Sequence, residues 1–294
     1  MDLMEAKRAN GEVVTESRIR WIGAAAVDVV FFSVLFLLFL FLFAMPIVPL
    51  QKVIHTEVCF LMLNEVMMLA GALLAAYIVF RSRELPFRGL GLTLKGWWRS
   101  LWTGALFIAC LYAAGFGLSL WLGAVEVAAV CLSPVSLLLS LLFFFLVAVT
   151  EEVMVRGFIL GRMLDGGVNK FAALSVSAVL FSLMHLFNPN FAFVPFLNIV
   201  LAGFFLGASY IYTRNLCLPI VLHWFWNWIQ GPVLGYKVSG NEFNEGGLLV
   251  LRLPEENLIN GGGFGFEGSV LCSLLLVVGT VLIIAYYERH RALL

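Results

Sequence analysis

Eight apolar runs, each near the length of a bilayer crossing, restrict this chain to very few folds. They fall at about 22–44, 59–80, 101–122, 134–155, 171–187, 193–213, 216–234 and 269–287. A helix needs roughly 17–25 mostly apolar residues to cross the hydrocarbon core. In lipid every backbone polar group must be satisfied by the structure itself, which leaves helices or closed barrels as spanning forms. The apolar–polar alternation of a barrel is absent. The chain therefore reads as an all-α, polytopic integral membrane protein with about eight transmembrane helices. Composition agrees: 62% of the 294 residues are hydrophobic, 12% are charged, and mean hydropathy is +1.00. The first run is too long for a signal-peptide core and follows mixed acids and bases, so it reads as a retained span. Net charge is formally zero, so membrane lipids, and no nucleic acid, are the expected surroundings.

Lysine and arginine set an orientation. Counting alternate sides, Lys7, Arg8, Arg18, Arg20, Arg81, Arg83, Arg88, Lys95, Arg99, Arg156, Arg162, Lys170, Arg214, Arg289 and Arg291 fall together, fifteen in all. The opposite side holds three, Lys52, Lys237 and Arg252. The positive-inside rule then places both termini in the cytoplasm. Along the chain, residues 1–133 carry the first spans and a basic loop with Trp97 and Trp98 that suits the cytoplasmic interface. Residues 134–235 form the core with the ionisable residues discussed next. Residues 236–294 hold a Gly-rich external loop and the last span. The loop from Gly235 to Gly268, with its glycine run at 261–263, reads as a turn-rich flap of unassigned role. The five cysteines, Cys59, Cys110, Cys131, Cys217 and Cys272, are scattered and odd in number, so they read as packing residues without disulfides. No internal repeat is visible.

Ionisable residues at membrane depth are costly and tend to face a protein interior or a wet cavity. Glu151 and Glu152 end the fourth run, with Arg156 one turn further. Glu152 and Arg156 form an i,i+4 pair with the acid first. Glu151, about 100° around the helix, is left to face a cavity. The fifth run ends on Phe181 and His185. The seventh carries His223 and Asn227 on one helical face, among Trp224, Trp226 and Trp228, which also suit an interfacial aromatic belt. The other histidines, His55 and His290, lie in a loop and the tail. A carboxylate base, an ion pair, two imidazoles and a carboxamide suit amide hydrolysis. Glu151 takes a proton from water, His185 holds the water or protonates the leaving amine, and His223 with Asn227 stabilise the oxyanion.

The arrangement Glu151-Glu152-xxx-Arg156, then Phe181-xxx-His185, then His223-xxx-Asn227 resembles the CAAX protease and bacteriocin-processing (CPBP, or Abi) family. That family includes the type II CAAX prenyl endopeptidases, and the likeness covers roughly residues 134–235. It implies an intramembrane endopeptidase whose cavity opens to the cytosol and whose substrate is a membrane-associated peptide or lipidated protein. By motif match Glu151 activates water, His185 positions it, His223 and Asn227 serve the oxyanion, and Glu152 and Arg156 support the site. One tension accompanies this reading: simple counting puts His185 near the outer end of its span and Glu151 near the cytoplasmic end. A tilted fifth helix, or a fourth helix whose glutamates sit deeper, removes it.

Other chemistries weigh against this one. Glu151, His185 and His223, with Asn227, are adequate ligands for a catalytic Zn²⁺ and hence for a metalloendopeptidase, but the helical H-E-x-x-H signature is missing, so metal-free chemistry is favoured. Gly207-Ala208-Ser209 before His223 suggests a rhomboid-like serine protease, yet Tyr210 stands where a glycine is expected. Gly203-xxx-Gly207 reads better as a close helix contact. Only Asp28 lies deep in a span, so a two-aspartate protease fails. A proton-coupled transporter would use Asp28 and Glu65, which read instead as hydrogen-bonding partners between helices. A non-proteolytic immunity factor or scaffold is the remaining alternative.

Overall fold

The structure, a computed structural model, describes residues 3–47, 57–242 and 247–290, with side chains of the first helix from 20 to 46. His55 and Lys52 lie outside the described residues, as do Arg291 and the side chains of Lys7, Arg8 and Arg18. Among the described residues ten α-helices follow in order: α1 Leu3–Ile47, α2 Glu57–Ser82, α3 Trp97–Trp121, α4 Pro134–Glu152, α5 Gly161–Asp165, α6 Lys170–Leu183, α7 Phe193–Gly207, α8 Tyr210–Thr213, α9 Cys217–Trp228 and α10 Val270–Arg289. Each of the eight apolar runs is helical over most of its length. Six stretches are long and apolar enough to cross a membrane: Arg20–Pro46, Glu57–Ser82, Trp97–Trp121, Pro134–Asp165, Phe193–Thr213 and Val270–Arg289. Their outer faces are apolar, as α1 shows with Val27, Val30, Val34 and Phe41 all exposed. Such a continuous apolar surface suits lipid and not water. The chain is thus an all-α polytopic membrane protein.

The fifth and seventh runs are the departures. Helix α6 has 14 residues and stops at Leu183, so His185 sits on the turn beyond it rather than inside a span. Helix α9 has 12 residues and continues as a π-helical turn, Ile229–Val233. The fourth run extends the other way: α4 passes into a π-helical segment, Val153–Leu160, and then α5. Glu151 therefore lies near the middle of a span running from Pro134 to Asp165. This depth eases the tension between His185 and Glu151.

Local signals explain the helix starts. Ser133 accepts a hydrogen bond from the Ser136 N–H with Pro134 in the first helical position, and Asn169 caps α6 through the N–H groups of Phe171 and Ala172. Ser269 caps α10 through Cys272 N–H. Ionic contacts tie the Lys/Arg-rich end. Buried Asp28 of α1 accepts from Arg162 of α5 at 2.8 Å and from Arg83 at 2.7 Å, which accounts for this acid as a helix-to-helix link. Arg214 pairs with Asp165. Leu216 N–H donates to Gly91 O, and Cys217 Sγ approaches Thr93 O at 2.9 Å, so the basic loop after α2 is stitched to the start of α9. A two-stranded antiparallel sheet, absent from the sequence reading, closes the other end. Its strands are β1 Glu126–Val130 and β2 Leu249–Arg252, with Glu126 opposite Arg252 and an irregularity between Val127 and Ala129. The described cysteines are all free.

Helices α6 and α7 meet at glycine. A Cβ on Gly203 would lie 2.6 Å from both Ala178 Cα and Cβ, and one on Gly207 would strike Leu174. Close approach is thus written as small-xxx-small. Gly203→Val should push the two helices apart and cost about 1–3 kcal/mol. Gly117→Ala on α3, where a new Cβ meets nothing within 4 Å, should be neutral or stabilising by up to about 1 kcal/mol. Thermal unfolding of both variants in one detergent compares them, and equal midpoints would contradict the packing argument.

Candidate active site

The site is assembled from α4, α6 with its following turn, and α9. Both helices that carry its acids and amide widen into π-helical turns directly after the functional pair, at Val153 and at Ile229. Such bulges admit an extra residue per turn and are frequent at functional sites. Here the wider turn leaves Arg156 beside Glu152, one turn back.

Glu152 and Arg156 are both fully buried, and Arg156 Nη1 donates to Glu152 Oε1 at 2.6 Å. Arg156 Nη2 donates to Gly203 O at 3.3 Å, and its guanidinium lies 4.4 Å from the centroid of the Phe181 ring. The pair is an interior ion pair, not a solvated helix-end contact. Glu152 Oε1 also accepts from His223 Nδ1 at 2.9 Å. That bond fixes the tautomer: with Nδ1–H committed to the carboxylate, His223 turns Nε2 the other way. Nε2 lies 3.8 Å from Glu151 Oε2. His185 is fixed likewise, its Nδ1 bonded to Phe181 O at 2.9 Å. A carbonyl only accepts, so Nδ1 carries the proton and Nε2 is free to accept. Both imidazoles meet the Phe181 ring edge-on, His185 at 4.9 Å and His223 at 6.0 Å between centroids. Phe181 is thus the common wall against which the cation and both histidines are set.

Glu151, His185, His223 and Asn227 all line one cavity of about 460 Å³. Glu151 Oε2 is buried without a hydrogen-bond partner among the described residues. The structure therefore brings all four residues to one space and leaves Glu152 and Arg156 behind its wall. Ser209 does not line it, and the Ser209 hydroxyl is fully buried. Among the described residues no three His, Cys, Asp or Glu side chains are grouped to hold a metal ion.

Several contributors were not visible in the sequence. Glu267, in the Gly-rich loop, lines the cavity and is held by neutral donors: Trp226 Nε1 at 3.1 Å, Ser239 N at 2.7 Å and Ser239 Oγ at 2.8 Å. The one available signal was an acid set among glycine and phenylalanine. The tryptophans of α9 bond to neighbouring segments. Trp226 is buried on Glu267, while Trp224 Nε1 and Trp228 Nε1 donate to Leu141 O and Leu137 O of α4 at 2.8 and 3.1 Å. Gln230 links Tyr112, at 2.6 Å, to Lys237 O, at 2.7 Å.

The cavity is lined by α4, α7, α9 and α10 together with Glu57 and Leu61 at the start of α2, the turn after α6, the 238–242 segment and Glu267.

Removing one member of a buried ion pair strands the other's charge, at about 3–5 kcal/mol, whereas replacing both with apolar groups is far milder. Arg156→Met should therefore destabilise by roughly that amount, and Glu152→Leu combined with Arg156→Met should recover most of it. Denaturation midpoints of both variants test this, and additive losses in the double variant would contradict the pairing.

Residues 133–229, a third of the chain, match the family model described as type II CAAX prenyl endopeptidase Rce1-like. No curated protein and no solved structure matches the chain. The matched stretch runs from the Ser133 cap of α4 to Ile229, just past Asn227, and so contains Glu151, Glu152, Arg156, His185, His223 and Asn227. The match supports a CAAX-type intramembrane protease in general terms. The stretch that supplies Glu151, His185, His223 and Asn227 is thus similar to Rce1-like domains, consistent with the CAAX protease and bacteriocin-processing family.

Proposed function

We propose that this protein is an intramembrane endopeptidase that hydrolyses a peptide bond of a membrane-associated peptide or protein with water activated by Glu151. The observation that carries the reading is the partnerless Glu151 Oε2, facing His223 Nε2 at 3.8 Å inside the cavity. That separation is too long for a direct hydrogen bond, yet it suits one water bonded to both at roughly 2.8 Å. Glu151 accepts the water's proton as its oxygen attacks the scissile carbonyl carbon. His185 Nε2, fixed as an acceptor, holds the water's second hydrogen. Once protonated, Glu151 or His185 passes a proton to the leaving amine.

The carbonyl oxygen gains negative charge and needs donors. Asn227 offers its carboxamide N–H directly. His223 offers Nε2–H only as an imidazolium, because its Nδ1 proton is committed to Glu152. Carboxylates on both sides of the ring are the counter-ions such a cation needs. Glu152 then acts through His223, and Arg156 balances Glu152. Charge counting favours cytoplasmic termini in the same reading. Of the alternatives, a transporter loses Asp28, which Arg83 and Arg162 hold in place.

Glu151→Gln keeps the size of the side chain and removes the base. Loss of a general base costs about 10²–10⁴-fold in rate. In detergent-purified protein with prenylated and unprenylated peptides, this variant should lose turnover by that factor at unchanged melting temperature. Asn227→Ala should lose about 10²–10³-fold, the cost of one oxyanion donor. Chelator should leave turnover intact. Unchanged turnover in Glu151→Gln, or loss on chelation restored by zinc, would sink the mechanism.

A further inference from the structure

Helix α9 carries His223 and Asn227 along one edge, and the two flanks of that edge are anchored to different parts of the chain. At about 100° per residue, Trp224 and Trp228 fall together on one flank, where both donate to carbonyls of α4. Trp226 falls on the opposite flank, where its Nε1 donates to Glu267 Oε1 at 3.1 Å. One turn on, Gln230 is held near the same flank by Tyr112 at 2.6 Å, but from within the π-helical turn that begins at Ile229. Between the flanks, the Asn227 carboxamide lines the cavity and makes no side-chain hydrogen bond of its own among the described residues. Its aim therefore follows the rotation of the helix. Turning α9 by about 10° moves a side-chain tip at roughly 6 Å from the axis by about 1 Å.

Glu267 is itself held from two more sides. Asn198 Nδ2 of α7 donates to its backbone oxygen at 2.7 Å. Ser239 donates to Oε2 twice, from its backbone N at 2.7 Å and from Oγ at 2.8 Å. Ser239 does so at a φ of 49°, a left-handed backbone that a residue other than glycine keeps only where its surroundings impose it. Gly265, at φ 88°, lets the segment close on itself, since a Cβ there would lie 2.0 Å from Lys237 O. Local strain and close backbone approach thus set one carboxylate where the Trp226 indole meets it. That carboxylate lies outside the stretch 133–229 that matches the family model.

We propose that Glu267 is a positioning residue for the hydrolysis: through Trp226 it holds α9 at the rotation that aims Asn227 at the substrate carbonyl oxygen. The Gly-rich segment is thereby part of the reaction machinery. The role of Asn227 rests on the peptidase reading above; the mechanical link from Glu267 to Asn227 does not. A donor that acts as charge develops contributes to kcat and not to ground-state binding.

Two variants in detergent-purified protein test this. Glu267→Gln places an amide N–H where three donors converge. Trp226→Phe removes only the indole donor and keeps a ring against Tyr112 and Phe205. Each should lower kcat by about 10–100-fold, the cost of a misplacement near 1 Å, with KM unchanged. Added to Asn227→Ala, neither should lower kcat further, because the amide they aim is already gone. Losses that multiply with Asn227→Ala, or a raised KM at full kcat, would overturn the proposal. A second readout needs no turnover. With exposed Cys59, Cys110 and Cys131 changed to Ser, Asn227→Cys is labelled by a small methanethiosulfonate. Glu267→Gln should change that rate by about 2–10-fold, the worth of one net hydrogen bond, and leave the rate of Leu61→Cys on the α2 wall unchanged. Equal change at both positions, or change at neither, would overturn the link. A shifted Asn227→Cys rate in a protein that cleaves no peptide would remove the peptidase reading and leave the link standing.

Discussion

One buried carboxylate organises the site. Glu152 Oε1 receives Arg156 and His223 together, at 2.6 and 2.9 Å, in a space that excludes solvent. A lone carboxylate there would be prohibitively costly; the guanidinium offsets it, and Phe181 and Gly203 O hold the guanidinium. Three helices, α4, α7 and α9, are thereby held in one register. The same bond decides which nitrogen of His223 faces Glu151, so a structural ion pair becomes a chemical constraint on the cavity. Glu151, one residue earlier and around the helix, faces His223 Nε2 at 3.8 Å across the cavity.

The surrounding fold serves that constraint. Gly203 and Gly207 let α7 approach α6 closely enough for Arg156 to reach Gly203 O. Trp224 and Trp228 donate to carbonyls of α4 four residues apart, as the antiparallel packing of α4 and α9 requires. The Gly-rich loop, through Glu267 and Ser239, fixes the far wall. Polar contacts between helices matter more than apolar burial here, because lipid competes for apolar surface as readily as a neighbouring helix does.

Much of this was legible in the chain. Apolar run length gave eight helical segments, and the i,i+4 spacing gave the Glu152–Arg156 pair and left Glu151 separate. What periodicity does not carry is depth. A π-helical continuation lets α4 run to Asp165, while α6 stops before His185, and neither event changes the apolar pattern enough to be read. Long-range partners were equally hidden. Glu267 lies 41 residues from Trp226, in a loop with no periodic signal, and the β1–β2 pairing joins two segments that each read as irregular. The partners of the tryptophans were hidden too, because an indole suits an interface and a buried carbonyl equally well.

The account's central claim is that Glu151 and Nε2 of His185 converge on one water, beside the His223 Nε2 that serves the carbonyl oxygen. An experimental structure at a resolution that shows ordered water tests it directly, with anomalous data at the zinc edge. The account predicts a water bonded to Glu151 and to Nε2 of His185, with no anomalous peak. A metal peak at about 2.0–2.2 Å from these side chains, or Glu151 turned away from both imidazoles, would contradict it.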